Sequence, residues 1–438
     1  MVDPVVLLTV DSLTAGHMGC LGYDRNTTPR LDELRRRGTL YTNAVAQSSH
    51  TRESMPSLFF SQYPSQLPDI GPVPDDRETI ATVLSDSGFT TAGFHSNPYL
   101  SRAYEFDKGF DVFDDSLSLA QNRLVTFFHR VVNHFRTEPY TRAGDLNERA
   151  LEWLDSEPNR PRFCWVHYMD PHGPYQPPAS FQSHFTDKSI GKRSAKRLWR
   201  QMVDNPSSLN AEDRELLVDL YDAEIRYTDA MIGEFIDGLA DRGLLSDALV
   251  IVAADHGEAF GQHDVYGHPR HPYEELIHVP LFVLGGGYPA DQRVDQPVEN
   301  LDIGPTILNC SGCSVPPTFS GEALPRESSE YTDVAPVGIA ECRGENDARD
   351  TRRVAARSAR YNYRIELDDE DHVQTSGLYD RQSDDPKRDV SDDAPDVRAH
   401  FDDQIREHND SIQNARVTAG EEIESEAVSQ RLRDLGYK

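Results

Sequence analysis

The chain has 438 residues, of which 37% are hydrophobic, enough for one large α/β domain and a smaller one. It carries 74 acidic and 44 basic residues, a net charge of −30, and only six of the basic residues are Lys. This charge excludes general nucleic-acid binding, so we expect no nucleic-acid partner. Such a balance is typical of halophilic proteins in molar intracellular salt, where charges are screened within about 3 Å.

The sequence contains no targeting or membrane segment that we can identify. No stretch approaches 18 consecutive apolar residues, which predicts the absence of a transmembrane helix. A strand begins at Val5 without the features of a signal peptide, and we therefore expect a cytoplasmic protein in a high-salt cytoplasm. Cys310 and Cys313 form a lone CxxC pair, which favours small packing residues over a zinc site. The sequence predicts no oligomeric state.

The first predicted strand, Val5–Val10, ends in Asp11 and Ser12. A second strand, over 40–46, leads into a polar segment that opens a helix predicted over 55–60. Thr51 lies in that polar segment. Hydroxyl groups at a helix start are most often caps, but the same position suits a nucleophile because the helix dipole stabilises an oxyanion.

The middle of the chain alternates helices and strands. Predicted helices cover 79–87, 144–154 and 211–242, and predicted strands cover 90–94 and 163–167. An apolar stretch over 117–135 has helical spacing and is predicted as core or lid, since Arg and His interrupt it. The segment 186–208 is the one basic stretch: either a solvated helix face or a surface that attracts an anionic substrate.

The segment 248–258 carries the strongest chemical signal. Its apolar run over 249–253 predicts a buried parallel strand that ends in Asp255 and His256. Ligands bind at the carboxyl ends of strands in open α/β sheets, and adjacent oxygen and nitrogen donors indicate half of a metal site. Alone, the pair is equally consistent with a helix cap and a surface His.

A His-rich loop follows, with His263, His268 and His271, before a strand over 279–283 and a helix over 300–308. From about 335 the pattern changes to short antiparallel strands, predicted over 337–341, 353–356, 361–366 and 377–379, with a last helix over 395–408. The fold class is therefore α/β: a large, mostly parallel sheet between helices with a small C-terminal antiparallel sheet. We divide the chain into a catalytic domain, 1–330, and a C-terminal subdomain with an acidic tail, 331–438.

Four motifs occur in the order seen in one family: Thr9-Val-Asp11-Ser12, Asp170-Pro-His172-Gly-Pro-Tyr, Asp255-His256-Gly-Glu and Leu301-Asp-Ile-Gly-Pro-Thr. Over nearly its whole length the chain resembles the sulfatase family of the alkaline-phosphatase-like superfamily. The resemblance implies that fold and one divalent metal ion, with Asp11, Asp255 and His256 at the ligand positions. Family members that have Asp-Asn where this chain has Asp255-His256 often hold calcium. The Asp-His pair here resembles phosphoesterase-type relatives, which often use manganese, and Mg or Zn stay possible.

The chain departs from the family pattern at the nucleophile. Sulfatases carry Cys or Ser in C/S-x-P-x-R, which is oxidised to formylglycine, whereas the matching position here is Thr51. Threonine cannot give the aldehyde, and the Pro and Arg of the motif are absent. Ser49 is a weaker candidate because it breaks the register. A Thr nucleophile resembles the phosphodiesterases and phosphoglycerol transferases of the superfamily.

The resemblance implies a metal-dependent hydrolase, or transferase, that cleaves a phosphate or sulfate ester through a covalent Thr51 intermediate. His172 and His268 would hold the non-bridging oxygens or protonate the leaving group. Asn97, His271 and Arg52 are further substrate-binding candidates, and the loop spacing lets His271 replace His268. The expected substrate is an anionic small molecule or glycan ester. The alternatives are a formylglycine-independent hydrolase of sulfated glycans and a catalytically inactive binding protein.

Overall fold

The computed structural model describes residues 2–67, 77–116, 140–156, 160–344 and 351–412. The apolar stretch predicted over 117–135 lies outside these residues. None of the described helices has the length and apolar character needed to cross a membrane.

A sheet of nine strands forms the centre of the molecule. Its order is β10-β2-β9-β6-β1-β5-β3-β4, with β11 paired beside β2. The strands of this sheet are β1 (Val5–Val10), β2 (Thr39–Val45), β3 (Thr90–Phe94), β4 (Val112–Asp114), β5 (Arg162–Tyr168), β6 (Leu249–Ala254), β9 (His278–Gly285), β10 (Gln292–Val294) and β11 (Val298–Glu299). A short hairpin joins β7 (Ala259–Phe260) to β8 (Tyr266–Gly267).

The sheet is mostly parallel, as predicted, apart from β9. That strand runs antiparallel to both of its neighbours, β2 and β6. Every residue of β1, β5 and β6 is buried, which explains their near-continuous apolar sequences.

Ten α-helices are described. They are α1 (Pro29–Leu34), α2 (Thr51–Phe60), α3 (Ile80–Asp86), α4 (Ala143–Ser156), α5 (Ala179–Gln182), α6 (Lys192–Asp204), α7 (Ala211–Asp241), α8 (Glu274–Ile277), α9 (Ile303–Ser311) and α10 (Pro395–Ile412). Helix α2 begins four residues before the predicted start at Met55. Its first turn is polar in sequence, yet Thr51, Glu53 and Ser54 are buried.

The register of the strands explains why the candidate site residues lie at one edge of the central sheet. Val10, the last residue of β1, lies opposite Tyr168 of β5 on one side and Ala254 of β6 on the other. The three strands are parallel and end at the same level. Asp11 and Asp255 therefore meet directly beyond the sheet, with the Asp170–His172 loop beside them.

The C-terminal sheet has the order β12-β13-β14-β15, with all neighbours antiparallel. Its strands are β12 (Gly338–Arg343), β13 (Arg352–Arg357), β14 (Tyr361–Leu367) and β15 (Val373–Asp380). Phe401 and Ile405 of α10 complete a small apolar core on this sheet. A second cluster, formed by Val45, Ile277, Ala340 and Ala355, joins the small sheet to the large one.

The Glu341 carboxylate is hydrogen-bonded to three separate parts of the chain. Its buried carboxylate accepts hydrogen bonds from the backbone N–H of Ser65 (2.8 Å), from Arg352 (3.1 Å) and from His408 Nε2 (2.8 Å). Burial by itself raises the pKa of this carboxyl, but the hydrogen bond and charge of His408 and the charge of Arg352 outweigh burial. The pKa is lowered to about 2.

The Glu341 interaction makes stability depend on pH. The folded pKa lies below the ordinary value of 4.5, so the stabilisation is complete above that value and is lost as pH falls through about 2. We expect Glu341→Gln to lower the free energy of unfolding by about 2–3 kcal/mol at pH 7, and the difference from wild type to shrink below pH 4.5. Urea unfolding between pH 7 and pH 3 measures both.

Glu366, on β14 of the same sheet, provides the matched control. It pairs with Arg353 at 3.2 Å, but its side chain is 30% exposed. Glu366→Gln should change the free energy of unfolding by less than about 0.5 kcal/mol. Equal losses in the two variants, or a difference for Glu341→Gln that does not vary with pH, would contradict the assigned role.

Candidate functional site

Asp11, Asp255 and His256 form a buried three-residue group at the carboxyl ends of β1 and β6. One ligand atom of each lies within 4.8 Å of the other two, and all three side chains are fully buried. Two carboxylate oxygens and an imidazole nitrogen form a donor set suited to a divalent first-row metal or calcium. The structure thus brings together the three predicted ligands.

The charges of this group fit a bound cation. Burial raises the pKa of Asp255 well above its ordinary value, and the nearby charge of Asp11 raises it further. No hydrogen bond from the described residues reaches Asp255 Oδ2. Two adjacent buried carboxylates repel each other unless a proton or a cation lies between them. A divalent cation would remove this repulsion and give Oδ2 a partner.

His256 is held in the protonation state that a metal ligand needs. Its Nδ1 lies 2.9 Å from the Gly257 carbonyl oxygen, to which it donates. Nε2 therefore keeps its lone pair and faces Asp11 Oδ1 at 3.7 Å. Burial, together with the neighbouring His268, lowers the pKa of His256 to about 4, so the ring is neutral near pH 7.

Thr51 is the first residue of α2 and lies in contact with the predicted ligands. Its Oγ1 lies 3.0 Å from His256 Nε2 and 3.4 Å from Asp11 Oδ2. The cap of this helix is His50, whose side chain accepts a hydrogen bond from the Arg52 backbone N–H. Thr51 is thus the first residue inside the helix, and its hydroxyl is directed to Asp11 and His256.

Two neighbours orient the Asp11 carboxylate. Asn97 donates from Nδ2 to Asp11 Oδ2 at 2.8 Å, and Ser12 donates from Oγ to Asp11 Oδ1 at 2.9 Å. The Ser12 backbone N–H also donates to Asp255 Oδ1 at 3.2 Å. Ser12 occupies the position where the family pattern has a second Asp, and here it supports the two flanking carboxylates.

His172 and His268 lie beside the predicted metal ligands. Their ring centroids are 5.0 Å apart, and the His268 ring is 4.7 Å from that of His256. His172 donates from Nδ1 to the Gly173 carbonyl oxygen at 2.7 Å, and His268 Nδ1 lies 3.2 Å from Glu258 Oε1. These contacts engage Nδ1 of each ring and fix the orientation of the two imidazoles.

The structure distinguishes His268 from His271, which the loop spacing could not. The His271 ring stacks on Tyr273, with centroids 5.0 Å apart. Its pKa is lowered to about 4 by burial and by the charge of Arg353 on the C-terminal sheet. His263 stacks on the same Tyr273 at 4.3 Å. His268 is therefore the residue of this loop that joins the histidine group.

Ser49, the weaker nucleophile candidate, and Arg52, a substrate-binding candidate, have different surroundings from Thr51. Ser49 donates to the Pro269 carbonyl oxygen at 2.8 Å and lies 3.4 Å from Cys342 Sγ, so the weaker nucleophile candidate turns away from Asp11. The Arg52 guanidinium lies over the Tyr99 ring at 5.7 Å. Its role as a substrate ligand stays a prediction.

The sequence reading missed His167 and Glu258. His167 is the residue before the end of β5, and its Nε2 lies 3.3 Å from Asp11 Oδ2 while its Nδ1 lies 2.9 Å from Thr9 Oγ1. Trp165 donates to the same Thr9 oxygen at 2.9 Å, so a chain of hydrogen bonds ends on Asp11. Burial raises the pKa of Glu258 to about 7. A polar residue inside an apolar strand was the available signal for His167.

The comparisons with known proteins agree with this geometry. The Sulfatase family model matches residues 4–313. Arylsulfatase K of Bos taurus is 27% identical over 366 residues, covering 75% of this chain and 66% of the bovine protein. An ulvan-active sulfatase of Formosa agariphila is 24% identical over 341 residues, covering 73% of this chain and 64% of that protein. The match thus spans just under two thirds of each relative's length.

Solved structures show the same fold. Phosphonate monoester hydrolase of Agrobacterium radiobacter superimposes with a TM-score of 0.70 at 17% identity, covering 93% of this chain and 96% of that one. A protein solved in complex with its substrate D-glucosamine-2-N,6-O-disulfate gives a TM-score of 0.74 at 15% identity, covering 94% and 99%. The fold predicted from the motifs is confirmed. Because the family match covers well over half of the chain, this protein belongs to the sulfatase family.

Proposed function

We propose that the protein is a metal-dependent ester hydrolase that cleaves sulfate or phosphate esters through a covalent intermediate on Thr51. One observation carries the proposal: the Thr51 hydroxyl, at the start of α2, lies 3.0 Å from His256 Nε2 and 3.4 Å from Asp11 Oδ2. A nucleophile needs an acceptor for its proton and a positive environment for its oxygen, and this position offers both.

Asp11, Asp255 and His256 would hold the divalent metal that members of the family bind. When bound, the ion would lower the pKa of the Thr51 hydroxyl and neutralise charge on the ester. The two carboxylates suit manganese, calcium or magnesium, and the imidazole ligand also suits zinc. Asn97 and Ser12 keep Asp11 oriented toward this centre.

The reaction follows from the groups around Thr51. The Thr51 oxygen attacks the sulfur or phosphorus while Asp11 Oδ2, the oxygen of this carboxylate that faces Thr51, accepts its proton. His172 Nε2 holds a non-bridging oxygen, and His268 Nε2 donates a proton to the leaving oxygen. Water, or an acceptor hydroxyl in a transferase, then attacks the same centre. The bond to Thr51 breaks and its oxygen regains a proton.

The identity of the nucleophile bears on the type of ester. A formylglycine hydrate can expel sulfate by returning to the aldehyde, but a threonine ester has no such route. The bond from Thr51 to sulfur or phosphorus must be broken by a second attack at that atom. Phosphoryl transfer through a Thr ester suits this chemistry, and one structural neighbour is a phosphonate monoester hydrolase.

Sulfate esters remain the second candidate. The relatives include an arylsulfatase and an ulvan-active sulfatase, and one structural neighbour was solved with a disulfated glucosamine as its substrate. These names support a formylglycine-independent hydrolase of anionic glycan esters. An inactive binding protein would not need a hydroxyl in contact with the metal ligands.

Replacing Thr51 tests the nucleophile. Thr51→Val keeps the shape but removes the hydroxyl, and we expect kcat to fall by about a thousandfold or more, whereas Thr51→Ser should stay within about tenfold of wild type. The measurement is turnover of p-nitrophenyl phosphate, bis-p-nitrophenyl phosphate and p-nitrophenyl sulfate in molar KCl. Which ester reacts fastest identifies the ester class.

Ser49→Ala is the matched control for Thr51, because it removes a hydroxyl two residues away that faces Pro269 and Cys342. It should keep kcat within about threefold of wild type. Turnover that survives Thr51→Val would remove Thr51 from its role, and no turnover of any ester by wild type would refute the hydrolase.

Metal content tests the ligand group independently of activity. Asp11→Asn and Asp255→Asn each remove a carboxylate ligand, and we expect tightly bound divalent metal to fall from about one per chain to near zero. Elemental analysis after dialysis measures this. The control is Asp229→Asn: this buried carboxylate accepts the backbone N–H groups of Arg30 and Leu31 away from the site, so its loss should leave metal content unchanged. Equal metal content in all variants would contradict the assignment.

The two histidines of the loop give a paired test. His268→Gln should lower kcat by about a hundredfold, because it removes the proposed proton donor. His271→Gln removes a ring that stacks on Tyr273, and kcat should stay within about threefold of wild type. Steady-state kinetics on the fastest p-nitrophenyl ester measures both. A larger loss for His271→Gln than for His268→Gln would reverse the assignment.

A further inference from the structure

Arg142 lies directly before α4, between two buried carboxylates. Its guanidinium contacts Asp170 Oδ1 at 2.7 Å through Nη1 and Glu224 Oε2 at 2.8 Å through Nη2. The Arg142 side chain is 14% exposed and neither carboxylate is exposed, so little water screens these charges. Asp170 belongs to the loop after β5, whereas Glu224 belongs to the long helix α7. These three residues form the Arg142 triad.

The first end of the loop after β5 is attached to this triad. Asp170 Oδ2 accepts the backbone N–H of Ala143 at 2.9 Å, so the consecutive residues Arg142 and Ala143 hold one carboxylate. The Arg142 backbone is itself fixed, because its carbonyl oxygen accepts two N–H groups from the first turn of α4. Tyr140 donates from its hydroxyl to the carbonyl oxygen of His172 at 3.4 Å. One short segment therefore holds this end of the loop.

The other end of the loop is attached to Glu224. Its Oε1 accepts the backbone N–H of Gln176 at 2.7 Å, four residues after His172. The two Glu224 oxygens also accept hydrogen bonds from the Arg142 guanidinium, at 3.2 and 2.8 Å. One guanidinium thus connects to both ends of the loop, and His172 lies between the two attachments.

Between these attachments, the His172 ring is held by the loop and faces the site. Its backbone N–H donates to the Met169 carbonyl oxygen at 2.7 Å, and its Nδ1 donates to the Gly173 carbonyl oxygen at 2.7 Å. The ring centroid lies 5.0 Å from that of His268. Because the ring is bonded to its own loop, a shift of the loop would move the ring relative to His268.

Stability alone does not account for the triad. Two carboxylates and one guanidinium leave a negative charge in a buried place unless a proton is bound. Burial raises the pKa of Asp170 to about 7, with the charge of Glu224 adding to the shift and that of Arg142 opposing it. Burying charges costs free energy, and apolar residues of similar volume often stabilise a protein equally well or better. The specific contribution of the triad is therefore the geometry of the loop that it holds.

We propose that Arg142 is a positioning residue, which holds the His172 ring at the place where it contacts the ester bound at Thr51. This inference rests on the proposed function and adds a residue that touches neither the ester nor the predicted metal ligands. Arginine suits this role because its planar guanidinium presents five N–H donors in a fixed arrangement and can bind two carboxylates at once.

The test is a double-mutant cycle between Arg142 and His172, measured as turnover of the p-nitrophenyl ester that wild type cleaves fastest. We expect Arg142→Met to lower kcat by about tenfold or more and to change KM by less than about threefold, because a displaced His172 loses an interaction that is strongest in the transition state. In the His172→Ala background, the same replacement should lower kcat by less than about threefold.

Arg162→Met is the matched control, at the opposite end of β5. Arg162 is also buried, pairs with Asp3 at 2.9 Å and donates to the Leu154 carbonyl oxygen at 2.8 Å. This variant removes a guanidinium of similar burial far from the loop, and kcat should stay within about threefold of wild type. Circular dichroism under the assay conditions verifies that each variant is folded.

Arg142→Lys replaces Arg142→Met in the cycle if the methionine variant does not fold. Lysine keeps a positive charge between the carboxylates, but it has one nitrogen where arginine has two that contact different carboxylates. We expect its kcat to fall by about fivefold, and by less than about twofold in the His172→Ala background.

Equal fold losses in kcat in the wild-type and His172→Ala backgrounds would overturn the inference, because Arg142 would then act independently of His172. A loss for Arg162→Met as large as that for Arg142→Met would overturn it as well.

A crystal structure of the folded Arg142 variant gives a readout that needs no turnover. We expect the His172 ring to move by about 1 Å or more while Asp11 and Thr51 keep their positions. An unmoved ring would overturn the inference. If wild type hydrolyses no ester but the ring moves in the variant, the proposed function fails and the control of His172 by Arg142 stands.

Discussion

The arrangement of the site depends on two buried carboxylates, Asp11 and Asp255, that lie next to each other. Asp11 and Asp255 lie at the ends of adjacent parallel strands because β1 and β6 pair in register from Val5 to Val10. Neither side chain is exposed, and burial together with the charge of Asp11 raises the pKa of Asp255. This electrostatic cost persists in a fold only when something compensates for it. A divalent cation would supply that compensation, and the surrounding polar residues hold the three side chains that would bind it.

The sequence predicted much of this arrangement because its signals are local. Apolar runs that end in Asp11 and Asp255 specify strand ends, and parallel pairing brings such ends together. The sequence did not predict which residues orient the ligands: His167 was missed, and Asn97 was predicted to bind substrate. His167 contacts Asp11 only because β5 pairs beside β1, and Asn97 reaches Asp11 from the loop after β3. Such contacts depend on strand order, which periodicity does not encode.

The histidines show a second limit of sequence reasoning. His268 and His271 are three residues apart in one loop, and both have acidic and aromatic neighbours in sequence. The β7–β8 hairpin ends at Gly267, directly before His268, and thereby sets that ring against His256. Three residues later the chain has turned toward the C-terminal sheet, where His271 stacks on Tyr273. The choice between them is made by a two-residue strand too short to predict.

The start of α2 places the Thr51 hydroxyl next to the buried Asp11 and His256 side chains. The His50 side chain caps this helix by accepting the Arg52 N–H, and Thr51 is the first residue inside the helix. From that position the Thr51 hydroxyl contacts His256 and Asp11, and the helix N-terminus favours negative charge on its oxygen. An unmodified hydroxyl therefore lies at the position that the family resemblance assigns to the nucleophile. Because a threonine hydroxyl cannot become an aldehyde, turnover by the proposed mechanism would rest on attack by water or another hydroxyl at the bound sulfur or phosphorus.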